Sequence, residues 1–164
     1  MSKATSTPPM RSLTVGLIGK GNNHSMESLT LYDECKLALK KDFKELTIGQ
    51  ANDKLAKLNG YLSDIGNGDI DWRNENIQVI LVEDLLKVIK KYYLDNRVVI
   101  ITDTADVPIF ETNLNLAIQQ FNDIACLSHN IFLINENFIG KFSYSSSNTQ
   151  FALINQSLIL NLLR

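Results

Sequence analysis

Apolar positions along this chain keep two different rhythms, and the change from one to the other divides it. In the first half, Tyr32, Cys35, Leu39 and Phe43 recur three or four residues apart, the spacing that stacks side chains on one side of a helix. Thr30, followed three residues later by Asp33, forms a capping box in which each side chain satisfies the other's backbone N–H. A helix is therefore predicted to open near Thr30. Thr47 and Gln50 repeat the signal ahead of Ala51, Leu55, Leu58, Leu62 and Ile65, an amphipathic pattern predicted to stop at the glycines Gly66 and Gly68.

Beyond Asp71 the apolar residues occupy two helical faces at once, Ile77, Leu81, Leu85, Val88 and Tyr92 on one and Val79, Val82, Leu86, Ile89 and Tyr93 on the other. That pattern fits a helix covered on two sides, or a short strand over IQVILV feeding a shorter helix, since periodicity does not separate the two.

The second half reads as sheet. Val98 to Thr102, VVIIT, is β-branched without alternation, as expected of a strand buried on both faces. Thr112 is placed to cap a helix whose inner side is Leu114, Ala117, Ile118, Phe121, Ile124 and Ala125. IFLI, FIGKFSYS and TQFALI follow, the last two as a hairpin around SSN with a strand before it. The closing SLILNLL is too apolar to stay in water, so it is expected to pack in the core or against another subunit.

Near the start, Leu13, Val15 and Leu17 alternate with Thr14, Gly16 and Ile18, predicting a strand of about seven residues. Residues 1–11 are small, polar and proline-bearing and are expected to form a flexible tail, with 12–164 as one globular domain. The fold class expected is α/β or α+β: a mixed β-sheet, helices concentrated in the N-terminal half and strands in the C-terminal half.

Composition narrows the function classes. The 164 residues carry a net charge of −2, without the concentrated positive face that nucleic acid requires. No window is an uninterrupted apolar run of roughly 18 residues, so an integral membrane segment is not expected. Two cysteines, Cys35 and Cys126, read as small buried hydrophobes in a reducing, cytoplasmic compartment. Frequent Asn, Ile and Lys point to an AT-rich coding sequence such as that of a low-GC bacterium, a phage or another virus.

Three sets of residues invite chemistry. TVGLIGKGNNHS locally resembles the glycine fingerprint of the NAD-dependent 3-hydroxyacid and 6-phosphogluconate dehydrogenases. The resemblance implies a tight turn at Gly19, close approach of a pyrophosphate at Gly21, and a third glycine where His24 stands. The helix also starts late, at Thr30, and no second strand ends in an acid. A strand running into a turn explains the glycines better, with anion binding by Gly19, Gly21, Asn22 and Asn23 as the residual expectation.

Asp103 and Asp106, just past a buried strand with Glu111 near in sequence, are a candidate Mg²⁺ pair. They are three apart, whereas the haloacid dehalogenase-type phosphatases set theirs two apart, so a turn ahead of a helix is the plainer reading. His24 and His129 have no partner in ligand spacing. Lysines 36, 40, 41 and 44 are interleaved with acids, as on a solvated helix; Lys87, Lys90 and Lys91 read the same way. Trp72 is expected to be a core anchor.

The leading function is therefore a non-enzymatic interaction or structural protein, binding a protein partner or itself as a homo-oligomer and needing no cofactor. A viral assembly component, an anti-defence protein or a toxin-neutralising partner each suits it. The alternative is a small nucleotide- or phosphate-binding enzyme with Gly19 to Asn23 and Asp103/Asp106 around one site, using a nucleotide or Mg²⁺. Peripheral contact of the lysine helices with an anionic membrane comes last.

Overall fold

The computed structural model describes residues 29–63, 68–143 and 146–162, with backbone alone at 143 and 146–148. The strand expected at Leu13 to Ile18, the flexible tail, the turn glycines Gly19 and Gly21, and Asn22 and Asn23 lie outside these residues.

The chain runs α1 (Leu31–Leu39), a single 3-10 turn (Lys40–Asp42), β1 (Lys44–Glu45), α2 (Ile48–Asn59), β2 (Gln78–Ile80) and α3 (Val82–Tyr92). It continues with β3 (Arg97–Thr102), β4 (Phe110–Asn113), α4 (Leu114–Gln119), α5 (Phe121–Ala125), β5 (Asn130–Ile134), β6 (Phe138–Ser143), β7 (Ser146–Leu153) and α6 (Gln156–Leu162). Helices lead and strands follow in a single α+β domain. The strands form one seven-stranded sheet in the order β1-β4-β3-β5-β6-β7-β2. Every pairing is antiparallel rather than mixed. Direct connections join β3 to β4, β5 to β6 and β6 to β7, which antiparallel neighbours allow and parallel ones do not; the other pairs are reached through intervening elements.

Both capping boxes form, with Thr30 and Thr47 each accepting from the third residue of its helix. The second helix ends earlier than expected, at Asn59 with Gly60 as its C-cap. Leu62 instead joins an antiparallel bridge to Ile70, because the chain turns back over the sheet. Of the two readings of IQVILV, the strand feeding a shorter helix is the one adopted.

Thr112 does not cap. It is buried on β4 opposite Val98, and Asn113 caps α4 by accepting from the N–H groups of Asn115 and Leu116. The single helix expected over 114–125 is broken at Gln120 into α4 and α5.

β3 explains its unbroken apolar run by burying alternate side chains on opposite faces. Val98 and Ile100 enter a core with Leu39, Leu85, Phe110, Leu114, Ile124, Phe138 and Phe151 beneath α1, α3, α4 and α5. Val99 and Ile101 enter a second core with Leu58, Ile70, Phe132, Ile139 and Ala152 beneath α2 and the segment that follows it. Trp72 packs on the second core, half-buried, as a core anchor. In the closing segment, Leu158 and Ile159 are buried, Ile159 in the first core, whereas Leu160 and Leu162 face solvent.

Candidate functional site

Asp103 emerges at the end of β3 and is held there by its neighbours. Its carboxylate accepts from the Ser128 hydroxyl and from Asn130 Nδ2 at 2.8 Å. Thr104 Oγ1 meets the same Ser128 hydroxyl at 3.0 Å, and the Asp103 N–H donates to the Asn130 carbonyl at 3.2 Å. These bonds pin the α5–β5 connection to the end of β3. Asp106 sits exposed in the following turn.

Glu111 does not join them. It lies on β4 opposite Val99 and Lys44 and pairs with Arg97, whose other arm reaches the Asp42 carbonyl at 3.2 Å. Among the described residues no three His, Cys, Asp or Glu side chains gather in a metal-holding group. Glu111 thus stands apart from Asp103 and Asp106, which share the turn after β3.

Four of the described lysines are held in ion pairs. Lys54 and Lys57 grip Glu136 at 3.3 and 2.7 Å, lowering its carboxyl chiefly through the Lys57 hydrogen bond. Lys141 pairs with Asp69 at 2.9 Å, and Lys87 with Asp84 at 2.7 Å. Cys35 is buried, its thiol pushed up to about 12 by that burial and by Asp123. Cys126 is exposed, contrary to the expectation that both cysteines are buried.

A different region was missed at the level of sequence. Among the described residues β2 is an outer strand of the sheet, and its Val79 and the following Leu81 are 48% and 68% exposed. Between β2 and α3 runs an open groove of about 490 Å³ lined by Ile80, Asp84, Lys87, Val88, Lys91 and Leu162, with Gln78 and Val79 at its rim. At the far end of α3, Tyr93 is 95% exposed and adopts the left-handed conformation at φ 52°. A bulky residue takes that conformation at some cost. Single exposed apolar residues are ordinary. Here Val79 and Leu162 line one groove, Leu81 stands exposed just past the strand, and an aromatic sits at the other end of the same helix, as on surfaces that meet proteins. The only signal in the sequence was the strand alternative for IQVILV, which places an apolar segment wherever the sheet ends.

Among the described residues no helix is long and apolar enough to cross a membrane. No curated protein matches the sequence. A family model described as CdiI immunity protein EcoliA0-like matches residues 29–149, from just before α1 to well into β7. That span takes in β1 to β6, the first half of β7 and all described helices but α6, so the match extends over the architecture and not a local motif. The chain belongs to the CdiI immunity protein EcoliA0-like family.

Proposed function

We propose that this protein confers immunity by binding a cognate toxin protein and blocking it through direct contact, with no chemistry of its own. Membership of the immunity family, over well more than half of the chain, carries this reading. The disposition of the polar residues supports it: Asp103 braces a loop and Glu111 pairs with Arg97, so neither points to a reaction centre. Two free cysteines, one of them exposed, suit action in the reducing cytoplasm.

Self-association is the weaker form of protein binding here. Leu158 and Ile159 are already buried within one chain, and among the described residues Leu160 and Leu162 are the outward remainder of the closing apolar run.

Co-expression with the cognate toxin domain tests the proposal. Growth is expected to be restored, and the two proteins are expected to co-elute as a stable complex. Continued killing at matched expression, together with separate elution, overturns it.

A further inference from the structure

Among the described residues the sheet has two outer strands, and they are unlike. β1 is two residues long, Lys44 and Glu45, both charged and exposed, a composition that discourages further pairing. β2 carries Gln78, Val79 and Ile80, leads into Leu81, and has no charge.

The ladder settles which backbone groups of β2 face outward. The Ile154 N–H donates to the Asn137 carbonyl at 2.9 Å. These two residues stand opposite each other in the register that pairs Phe138 with Leu153. Ile154 therefore directs its backbone toward β6. Direction alternates along an antiparallel strand, so Ala152 also turns to β6, while Phe151 and Leu153 turn to β2. Their partners Ile80 and Gln78 answer them, and Val79, opposite Ala152, is left with its N–H and C=O directed away from the sheet. Among the described residues that carbonyl accepts from its neighbour, Gln78 Nε2 at 3.3 Å, a solvent-exposed bond that an incoming N–H can replace.

The groove beside this edge has an apolar floor of Ile80, Val88 and Leu162, and a wall with two lysines, Lys87 and Lys91, against one aspartate, Asp84. Lys87 pairs with Asp84, so among the described lining residues Lys91, whose Nζ lies 5.1 Å from the centre of the Tyr92 ring, is the cation without a carboxylate partner. We infer that the β2 edge is a strand-addition site: an extended segment of the toxin pairs with the outward backbone of Val79, sets apolar side chains over Ile80, Val88 and Leu162, and directs an acidic side chain to Lys91. This rests on the immunity reading above and assigns its contact surface. Main-chain bonds supply register and the groove supplies selectivity, as in other cases of strand addition.

The test uses the full chain and the cognate toxin domain, with affinity from calorimetry and amide exchange from NMR. Val79→Pro deletes the outward N–H without touching the bonds to β7, and Lys91→Glu reverses the charge on the groove wall. Both variants are expected to melt within a few degrees of the unmodified protein. Val79→Pro should weaken toxin binding by on the order of tenfold or more, and Lys91→Glu by a smaller factor. In the unmodified complex, exchange of the Val79 amide should slow by on the order of tenfold or more relative to the free chain, a readout that needs no variant.

Affinities within about twofold for both variants, with Val79 exchanging at its free rate in the complex, overturn the assignment. So does binding lost only in Tyr93→Ala, which moves the contact to the other end of α3. Val79 protection that appears in the free chain as its concentration rises makes a second copy the occupant and also overturns it. An unmodified chain that fails to bind the toxin sinks the immunity reading and this inference together. One that binds with Val79 unprotected sinks the edge assignment alone.

Discussion

Gly140 is a residue whose smallness the sheet requires. It stands opposite Phe151 on the neighbouring strand, and a Cβ built on it overlaps the Phe151 ring, with the Gln150 carbonyl a further 3.3 Å contact. The ring has little freedom to yield, since it is fully buried and meets Phe138 and Phe142 edge-on at 6.1 Å each. Gly140→Ala is therefore expected to destabilise by about 1–3 kcal/mol, the usual cost of overfilling a core, read as a lower urea midpoint with unchanged slope. An unchanged midpoint would mean that the aromatic cluster repacks freely. Thr112 has the opposite defect: it is fully buried, and among the described residues its hydroxyl has no hydrogen-bond partner. An unpaired buried hydroxyl costs about 1–3 kcal/mol, so Thr112→Val, which keeps the shape, should raise the melting temperature. A fall would indicate that the hydroxyl has a partner after all. From sequence, Thr112 looked like a helix cap because Thr is a good one. The adjacent Asn113 is at least as good, and the strand needed Thr112 for one more residue.

At the scale of elements, α2 shows what local chemistry can and cannot specify. Its start was legible because the Thr47–Gln50 box is a contact between near neighbours, realised here by bonds of 3.1 to 3.4 Å. Its end was not, because Leu62 and Ile65 continue the helical spacing while the Leu62 bridge to Ile70 depends on the sheet below. Thr47→Ala should cost about 0.5–2 kcal/mol through the Gln50 N–H left to water, measured by thermal or urea unfolding; a variant as stable as the parent would show the box to be ornamental. The far side of α2 is tied to the β5–β6 turn through Glu136, whose folded carboxyl is held below its ordinary value of 4.5. A lowered carboxyl contributes stability above the ordinary value and loses it as pH falls through the folded one. Because Glu136 is largely exposed, the effect is small, well under about 1 kcal/mol. Glu136→Gln should flatten the acid limb of the stability profile slightly, and an identical limb in both proteins would count against the tie. The candidate surface was the least legible part. An outer strand is defined by what does not pair with it, and strand order appears in no local pattern.

For the whole molecule, the decisive feature is that two cores share one sheet. Alternate residues of β3 feed both, Ile100 the core under α1, α3, α4 and α5, and Ile101 the core under α2. Neither helical layer can lose its packing without exposing one face of strands whose other face is still buried, so the two layers are coupled through the same backbone. At 164 residues the chain is near the size where domains begin to unfold in stages, which makes the coupling a testable property rather than a presumption. Ile100→Ala and Ile101→Ala should each cost about 2–5 kcal/mol, and each should shift one common transition. Far-ultraviolet dichroism should follow the backbone through it, and the fluorescence of Trp72, which sits on the second core alone, should coincide. If Ile100→Ala moved the dichroism midpoint and left the Trp72 midpoint in place, the layers would be independent. In that event a partner on the β2 edge would stabilise only the layer it touches. With coupling, toxin bound at β2 raises the unfolding free energy of the whole sheet by mass action, and Trp72 reports the complex from the opposite face.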